Sequence, residues 1–478
     1  MISLAALLNE SPFLGYSYAY PHKTAYRSLA PARPLRDVWC DEPRDSLFLY
    51  LHVPFCEFRC GFCNLFTLAN PDDEWPQRYL RQLRREAEQV RAALPDARFT
   101  RLAVGGGTPT FLSVEELQEL WAIGTDVMAA RGPRAPQEIP TSCEASPATA
   151  TRDKLQLLRE LGVDRLSLGV QTFDNSEAGR LGRPQRRREV ELALTAIRET
   201  GFPTLNIDLI YGGETQTVAS WLDSLRAAIE YQPEELYLYP LYVREQTGLG
   251  QRGEPANNSS RDREGVVIRK DLRPLPDGRG SFLHRLDVST DDERLALYRA
   301  GRDFLRGLGY EQQSLRMFSR PSVEMQPVSP VYCCQSDGMI GLGCGARSYT
   351  RRLHYSTEFA VRRSGVLGIL EDYVSREAGS FGSARHGFVL DADEQRRRFT
   401  ILSLLQRDGL SRQEYSIRFG SDVLSDLPVL GELEPAGLAV IDDARLRLTD
   451  AGLERSDTLG PWLYSERVRH LMEAATCL

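Results

Sequence analysis

Three cysteines lie within eight residues of the chain, at Cys56, Cys60 and Cys63, in the stretch YLHVPFCEFRCGFCNLF. Cysteine thiolates are ligands for zinc and for iron–sulfur clusters. A structural zinc site takes four ligands and a disulfide takes two, whereas three thiolates on one loop suit a four-iron, four-sulfur cluster with one iron open to another ligand. Two alternatives stand beside the cluster: a zinc loop completed by His52, and three unrelated buried thiols.

Further polar residues and a run of glycines follow strand-like apolar segments. The segment VGGGTPT contains Gly105 to Thr108, and Glu144, Gln171 and Asp208 each close or follow an apolar run. Glycines let the backbone approach a ligand closely, although a plain tight turn has the same pattern. The segment lacks the Lys-Ser/Thr pair of a phosphate-binding loop, so it does not indicate that kind of site.

These residues need a fold that brings them together. From Leu47 onward, six strand-like runs alternate with amphipathic, helix-like stretches, which is typical of a parallel sheet with right-handed crossovers. We therefore predict an α/β fold with a partial (β/α)6-type barrel. Because the loops after the strands of such a barrel converge at its C-terminal mouth, residues far apart in the sequence would share one site.

The chain divides into five predicted parts. Residues 1–45 form an N-terminal arm, residues 46–250 the barrel, and residues 293–390 an extension of the barrel. Residues 251–292 are rich in Gly, Pro, Ser, Asn and charge, which is typical of a flexible insertion or linker. The pattern in residues 391–478 is helix, helix, short hairpin and helix, which predicts a winged-helix-like α+β domain.

The composition limits the function classes. The chain has 478 residues, of which 42% are hydrophobic and 26% charged, and a formal net charge of −7. This acidic balance argues against general binding of nucleic acids or membrane surfaces, and no apolar run reaches the length of a transmembrane helix. The first ten residues lack a basic region and a cleavage-site pattern, so we expect a cytoplasmic location. Nine clustered cysteines then indicate thiol or metal chemistry.

The cysteine spacing resembles the signature of the radical S-adenosylmethionine (SAM) superfamily. The resemblance implies that Cys56, Cys60 and Cys63 hold one 4Fe-4S cluster, whose open iron chelates the methionine end of SAM. It also implies that SAM is cleaved reductively to a 5′-deoxyadenosyl radical, which abstracts a hydrogen atom from the substrate. An electron donor such as flavodoxin or ferredoxin is implied as a partner.

Several motifs resemble, in the same order, the HemN-like branch of this superfamily, the oxygen-independent coproporphyrinogen III oxidases: YLHVPFC, GGGTPTFL, LSLGVQTF, LGRPQ and NIDLIYG. The resemblance covers most of the chain, including a HemN-like C-terminal domain. It implies an oxidoreductase that decarboxylates the propionates of a tetrapyrrole, coproporphyrinogen III. The implied contacts with one SAM molecule, or with two, are Tyr50, Phe62, Gly106, Gly107, Thr108, Glu144, Gln171, Arg183 and Asp208.

The sequence also departs from the oxidases. Leu65 stands where the oxidases carry a fourth cysteine, and GGETQT replaces GLPGQT after the fifth strand. A radical SAM methyltransferase and a haem-binding chaperone of the same family are therefore alternative functions. Cys333 and Cys334, together with Cys344, either contribute to a second cluster or are buried thiols. Three basic residues of the arm either face a substrate carboxylate or belong to a solvated segment: His22, Lys23 and Arg27.

Overall fold

The structure is a computed structural model, and most of the chain is described in it. Residues 252–288, which make up most of the predicted insertion, lie outside the described residues, as do Cys333 and Cys334. The described ranges are 3–17, 19–128, 139–251, 289–321 and 338–475.

The described strands form a thirteen-stranded sheet, a three-stranded sheet and a two-stranded ribbon. In chain order the strands are β1 (Arg27–Pro34), β2 (Leu47–Val53), β3 (Phe55–Cys56), β4 (Leu68–Ala69), β5 (Phe99–Gly106), β6 (Thr141–Ala145), β7 (Arg165–Gln171), β8 (Thr204–Tyr211), β9 (Glu235–Pro240), β10 (Glu311–Gln312), β11 (Met317–Ser319), β12 (Met339–Leu342), β13 (Arg347–Tyr349), β14 (Leu353–Ser356), β15 (Ser383–Val389), β16 (Leu410–Ser411), β17 (Ala439–Ile441) and β18 (Arg445–Leu448).

The helices alternate with the strands over much of the chain. They are α1 (Leu4–Leu7), α2 (Leu35–Val38), α3 (Glu74–Ala93), α4 (Val114–Met128), α5 (Arg152–Glu160), α6 (Asn175–Arg180), α7 (Arg187–Thr200), α8 (Val218–Ile229), α9 (Gly248–Gln251), α10 (Asp291–Gly307), α11 (Arg363–Ser375), α12 (Ala392–Leu404), α13 (Arg412–Phe419), α14 (Val423–Asp426), α15 (Asp450–Leu453), α16 (Ser456–Trp462) and α17 (Glu466–Glu473). Short 3-10 helices span Lys23–Ala25, Pro109–Phe111, Ala378–Gly382 and Pro428–Glu432. None of the described helices is long and apolar enough to cross a membrane.

The centre of the large sheet is a run of six parallel strands. β2, β5, β6, β7, β8 and β9 are hydrogen-bonded in that order, and α3, α4, α5, α7 and α8 connect them. Six of the seven residues of β2 are buried, because helices cover a parallel sheet on its face and the barrel interior is packed. This arrangement confirms the predicted partial (β/α)6-type barrel.

Antiparallel strands extend the parallel sheet on both sides. β12 pairs parallel to β2, and β13, β14, β15 and β1 continue from it in antiparallel pairs. On the opposite side, β11 and β10 follow β9. The sheet stays open, since its end strands β1 and β10 do not pair with each other. The arm thus supplies an edge strand of the main sheet, while the five-part division of the chain stays a prediction.

The C-terminal residues form a second, smaller unit. Its elements follow the order α12, β16, α13, α14, β17 and β18, and its three strands pair in the order β16-β18-β17. This is the predicted winged-helix-like α+β arrangement. Its core includes residues from both ends of the chain, because Leu4, Leu7 and Tyr20 pack with the C-terminal residues Leu459 and Leu463. The arm and the C-terminal unit therefore share a hydrophobic core.

Candidate active site

One cavity of about 500 Å³ lies at the C-terminal ends of the parallel strands. All twelve site residues named from the sequence line it, although they come from seven different segments of the chain. The topology explains this convergence, because the loops that follow parallel strands open toward the same end of the sheet. The roles of these residues as ligands of a cluster or of SAM stay predictions. The twelve residues are Tyr50, Cys56, Cys60, Phe62, Cys63, Gly106, Gly107, Thr108, Glu144, Gln171, Arg183 and Asp208.

The cysteine loop follows β2 and is tied to its neighbours by backbone hydrogen bonds. The Cys63 amide donates to the Cys60 carbonyl at 3.1 Å, and the Asn70 amide donates to the Cys56 carbonyl at 2.8 Å. The Gly61 amide donates to the Leu181 carbonyl at 3.0 Å, on the segment that carries Arg183. The three thiols are half-buried, so the loop holds them at the cavity wall while leaving them accessible from the cavity.

The glycine segment after β5 lies directly against the start of the cysteine loop. The Gly107 amide donates to the Val53 carbonyl at 2.7 Å, and the Thr108 amide donates to the Phe55 carbonyl at 2.8 Å. A Cβ atom at Gly107 would lie 2.4 Å from the Phe55 carbonyl oxygen and 3.0 Å from the Cys56 sulfur. Only glycine fits this approach. The Thr108 hydroxyl lies 3.5 Å from the same sulfur.

Gly106 has a backbone conformation that other residues rarely adopt. Its φ is +114°, and a Cβ atom there would lie 2.5–2.8 Å from three atoms of the buried His52 ring. The Gly106 amide donates to Glu144 Oε2 at 3.0 Å, so the glycine segment and the end of β6 are joined at the cavity wall.

Arg183 links the cysteine loop to the end of β7. Its Nη1 lies 3.1 Å from the Cys60 sulfur, its Nη2 donates to the Gly169 carbonyl at 2.6 Å, and its Nε donates to Gln185 Oε1 at 2.5 Å. The side chain is buried, so its charge is held next to the sulfur in a fixed orientation. Gln171, on the same strand, has a φ of +71°, which is uncommon for a residue with a side chain and typical of functional sites.

Two carboxylates face the cavity from neighbouring parts of the sheet. Removal from bulk water raises the pKa of Glu144 to about 7, and the charge of Asp208 adds to this effect. Burial likewise raises the pKa of Asp208 to about 6, although a hydrogen bond from Asn206 Nδ2 at 2.8 Å favours its charged form. Arg165 opposes both shifts. Glu144 is open to the cavity itself, and a bound cation there would stabilise its carboxylate.

The thiol set fits an iron–sulfur cluster better than a single zinc ion. Burial raises the pKa of the Cys56 thiol to about 12, so a thiolate there needs a nearby metal cation. Within the described ranges, no three His, Cys, Asp or Glu side chains come together closely enough for one metal ion. His52 lies with Nε2 3.3 Å from the Phe66 carbonyl oxygen, and is not placed as a fourth ligand. A four-iron cluster takes each thiolate on a separate iron, which suits three spaced thiols.

Two further cysteines, Cys344 and Cys143, lie in the core. Cys344 is buried, with its sulfur 3.8 Å from the Thr357 hydroxyl, and it is not part of the cavity wall. Cys143 is also buried, on β6 beside Glu144. Both therefore behave as small apolar side chains of the core.

The arm contributes to the cavity, but not with all three of its named basic residues. His22 and Lys23 line the cavity, and the Lys23 ammonium lies 3.4 Å from the centre of the Phe359 ring. Arg27 instead donates to the Thr24 carbonyl at 2.8 Å and to the Leu471 carbonyl, so it joins the arm to α17. The interpretation as a carboxylate-facing group is wrong for Arg27, because backbone carbonyls use its donors.

Sequence reasoning missed several residues of the cavity wall. Those after β9 could have been found from the rule that polar residues at strand ends share a site. Arg347 follows the glycine-rich turn after β12, and no local pattern in the sequence predicts that β12 pairs with β2. Tyr16 has no signal in the sequence beyond its aromatic neighbours. The residues concerned are Tyr16, Tyr239, Tyr242, Arg244, Arg347 and Phe359.

Two family models match the chain. The radical SAM superfamily model matches residues 50–228, and the HemN C-terminal domain model matches residues 390–454. Residues 50–228 are thus a radical SAM domain, and residues 390–454 are a HemN-type C-terminal domain. The family implies a 4Fe-4S cluster and SAM, and the residues of the cavity fit both groups.

Relatives of this radical SAM chain carry two different names. It is 25% identical over 410 residues to the heme chaperone HemW of Bacillus subtilis (strain 168), covering 84% of this chain and 95% of the relative. It is 26% identical over 441 residues to the oxygen-independent coproporphyrinogen III oxidase of Cereibacter sphaeroides, covering 87% and 88%. The names of these relatives divide between a chaperone and an oxidase.

A solved structure confirms the predicted fold. Coproporphyrinogen III oxidase (HemN) from Escherichia coli, described as a radical SAM enzyme, matches with a TM-score of 0.72. The match covers 96% of this chain and 98% of that chain at 21% sequence identity. The radical SAM barrel and the HemN-like C-terminal domain are therefore both present.

Proposed function

We propose that this HemN-like chain is a radical SAM oxidoreductase that acts on a tetrapyrrole, with coproporphyrinogen III as the best candidate. The observation that carries the proposal is the single cavity at the barrel mouth. Three thiols from one loop line it together with the polar ends of β6, β7 and β8. A cluster held by the thiols would bind the methionine end of SAM directly, and the strand ends would hold the rest of the cofactor beside the space left for a substrate.

The cofactor end of the cavity is assigned to one cluster and one SAM. Cys56, Cys60 and Cys63 would hold the cluster, and Gly106 and Gly107 let the backbone approach the methionine end of SAM. When bound, this pair supplies one-electron cleavage of a sulfonium and so removes a hydrogen atom from a nearby substrate.

The protein side chains orient and shield these groups. Glu144 and Asp208 place negative charge where a cationic cofactor binds, and Arg183 fixes the loop that carries Cys60. Phe62 packs against an apolar cluster that includes Leu181 and Leu249, and so limits water at the sulfur side. These residues hold the cofactor end rigid and comparatively dry.

The remaining wall suits an anionic substrate built from aromatic rings. Its aromatic side chains pack well on single pyrrole rings, and its guanidinium and ammonium groups pair with carboxylates. In the proposed reaction, each reacting propionate loses one hydrogen atom, releases CO2 and passes one electron to a one-electron acceptor, which leaves a vinyl group. We place this reaction in the cytoplasm, with a flavodoxin- or ferredoxin-type protein as reductant. The residues of this wall are Tyr16, Lys23, Tyr239, Tyr242, Arg244, Arg347 and Phe359.

The test is an anaerobic turnover assay on the reconstituted protein. SAM, a reductant and coproporphyrinogen III are added, and the nucleoside and porphyrin products are quantified by mass spectrometry. We expect 5′-deoxyadenosine that depends on the substrate, together with loss of carboxyl groups. Formation of 5′-deoxyadenosine with an intact porphyrinogen would refute the substrate but not the radical chemistry. S-adenosylhomocysteine beside 5′-deoxyadenosine would instead indicate methyl transfer.

The assay has a matched pair of control variants. Cys60→Ala removes a predicted cluster ligand, whereas Cys40→Ala removes an exposed thiol of the arm that bonds only the Asp37 carbonyl in the described structure. We expect iron binding and SAM cleavage to be lost in the first variant and kept in the second. SAM cleavage that survives in Cys60→Ala would refute the assignment of the cluster.

A haem chaperone is the second candidate, and Leu65 favours it. This residue occupies the position of the oxidases' fourth cysteine, and its side chain is 44% exposed beside the cysteine loop. The Bacillus subtilis relative, a heme chaperone, is matched over 95% of its length. A chaperone would form a stable stoichiometric haem complex, detected by its absorbance, and would leave coproporphyrinogen III unchanged.

A further inference from the structure

We infer that Asp457, in the C-terminal unit, is a positioning residue for two tyrosines that line the cavity, Tyr16 and Tyr242. Asp457 lies on α16 and is almost completely buried, at 1% exposure. Asp457 itself does not line the cavity. It accepts a hydrogen bond from Tyr242, which does line it, and pairs with the buried Arg316, which lies against Tyr16 of the cavity wall. The inference deepens the proposed function, because it concerns the substrate side of the same cavity.

Asp457 forms a buried ion pair with Arg316, which precedes β11. Arg316 Nη2 lies 2.5 Å from Asp457 Oδ2, and both side chains are less than 7% exposed. The Tyr242 hydroxyl donates to the same carboxylate oxygen, and Arg316 Nη2 lies 3.3 Å from that hydroxyl. Tyr242 is thus held by two charged groups that cannot relax into water.

The same ion pair also holds Tyr16 of the arm. The Arg316 guanidinium lies 3.8 Å from the centre of the Tyr16 ring, which is close cation–π geometry. The Gly15 amide donates to the Asp457 carbonyl at 3.1 Å, so the backbone next to Tyr16 is fixed by the same residue. The Tyr16 ring in turn meets the Tyr239 ring edge-on at 6.2 Å.

Four parts of the chain therefore meet at one buried charge pair. The arm supplies Tyr16, the segment after β9 supplies Tyr242, the segment before β11 supplies Arg316, and the C-terminal unit supplies Asp457. Because each tyrosine lines the cavity, a change at Asp457 alters the shape of the substrate side without touching the cysteine loop. A displacement of about 1 Å in a positioning group costs up to about 100-fold in catalysis.

A nearby ion pair provides the matched control. Glu454 pairs with Arg299 of α10, with Nη2 to Oε1 at 2.6 Å, and it too joins the C-terminal unit to the barrel. Neither residue lines the cavity. Glu454→Gln therefore weakens the contact between the same two units without loosening a cavity tyrosine. Asp457→Asn weakens that contact and also loosens the cavity tyrosines.

The first measurement does not depend on the substrate. The full-length protein and both variants are treated with tetranitromethane, which nitrates phenolates, and nitrated tyrosines are mapped by mass spectrometry. Burial raises the pKa of Tyr242, and the charge of Asp457 raises it further. Removing that charge in Asp457→Asn therefore lowers the pKa of Tyr242, and each pKa unit gives about tenfold more phenolate. We expect nitration of Tyr242 to increase in Asp457→Asn and to stay at the wild-type level in Glu454→Gln. Equal nitration in all three proteins would overturn the inference, as would an equal increase in both variants.

The second measurement uses coproporphyrin III as a fluorescent probe of the cavity. We expect its affinity to fall about tenfold or more in Asp457→Asn and to stay unchanged in Glu454→Gln. Equal affinities for both variants would contradict a positioning role. If the wild type does not bind the porphyrin while the nitration result holds, the proposed substrate is wrong and the role of Asp457 stands.

A third variant covers the case in which Asp457→Asn does not fold. Arg316→Lys keeps the positive charge opposite Asp457 but loses the planar group that covers Tyr16. We then expect nitration of Tyr16 to increase while the Arg299–Glu454 contact is untouched. Unchanged nitration of Tyr16 in this variant would overturn the inference.

Discussion

Replacing Gly107 by alanine tests how tightly the glycine segment supports the cysteine loop. The added methyl group would lie 2.4 Å from the Phe55 carbonyl oxygen, 2.9 Å from the Val53 carbonyl oxygen and 3.0 Å from the Cys56 sulfur. Two of these contacts are with backbone atoms, so no side-chain rotation relieves them. The backbone must move, and the thiol of Cys56 moves with it.

The size of the effect follows from what such a movement disrupts. The Gly107 and Thr108 amides donate to Val53 and Phe55 at 2.7 and 2.8 Å. Forcing a methyl group into a packed site costs about 1–3 kcal/mol, and the loss of two hydrogen bonds costs about 1–3 kcal/mol more. We therefore expect the free energy of unfolding to fall by about 2–6 kcal/mol, with lower iron content after reconstitution.

The assay combines urea unfolding with iron and sulfide analysis of the reconstituted protein. Gly179→Ala is the matched control, because Gly179 lies in α6 and a methyl group there meets no atom within 4 Å. That change is expected to stabilise the helix by up to about 1 kcal/mol and to leave the iron content unchanged. If Gly107→Ala matched the wild type in both stability and iron, the close approach of the two segments would not matter.

Three further predictions concern single side chains. Arg183→Lys loses the forked contact that joins the Cys60 sulfur to the Gly169 carbonyl, and is expected to lower the free energy of unfolding by about 1.5–3 kcal/mol, measured in urea. Since the pKa of Glu144 is raised to about 7, its carboxylate forms as the pH rises. The affinity for SAM, measured by calorimetry, should therefore increase through pH 7, and a Glu144→Gln variant should lose that dependence. Tyr20→Phe removes the buried hydroxyl that donates to Glu394 and should cost about 1–3 kcal/mol in the same urea assay, whereas an unchanged midpoint would contradict this role.

The sequence was most informative about the barrel. The alternation of apolar runs and amphipathic stretches predicts the six strands β2, β5, β6, β7, β8 and β9 in the correct order, because a buried parallel strand and a half-buried helix have different periodicities. The rule that strand ends converge then brought together Cys56, Glu144, Gln171 and Asp208, which the structure places on one cavity wall. Both inferences depend only on local pattern and on the topology of a parallel sheet.

The glycine-rich turn after β12 shows where local pattern stops being sufficient. Its sequence GLGCGA contains no motif that predicts a role for the turn. In the structure Gly345 has a φ of +99°, and a Cβ atom there would lie 2.7 Å from His52 Nε2. The turn lines the cavity because β12 pairs with β2 across a long stretch of chain. No sequence period records such a pairing.

The contacts between the two ends of the chain are harder still to predict, since they depend on how separate units dock. The Ser17 and Tyr464 hydroxyls lie 3.1 Å apart although 447 positions separate them. The same contact between the units places Tyr16 against Arg316, and Arg316 against Asp457. Buried charges of this kind are costly unless they are paired, so the ion pair restricts how the units can pack together. The substrate side of the cavity is thus set by long-range contacts, and the cofactor side by one short loop and the strand ends. This difference explains why the sequence predicts the radical SAM motifs of the chain but not what binds at the other end of the cavity.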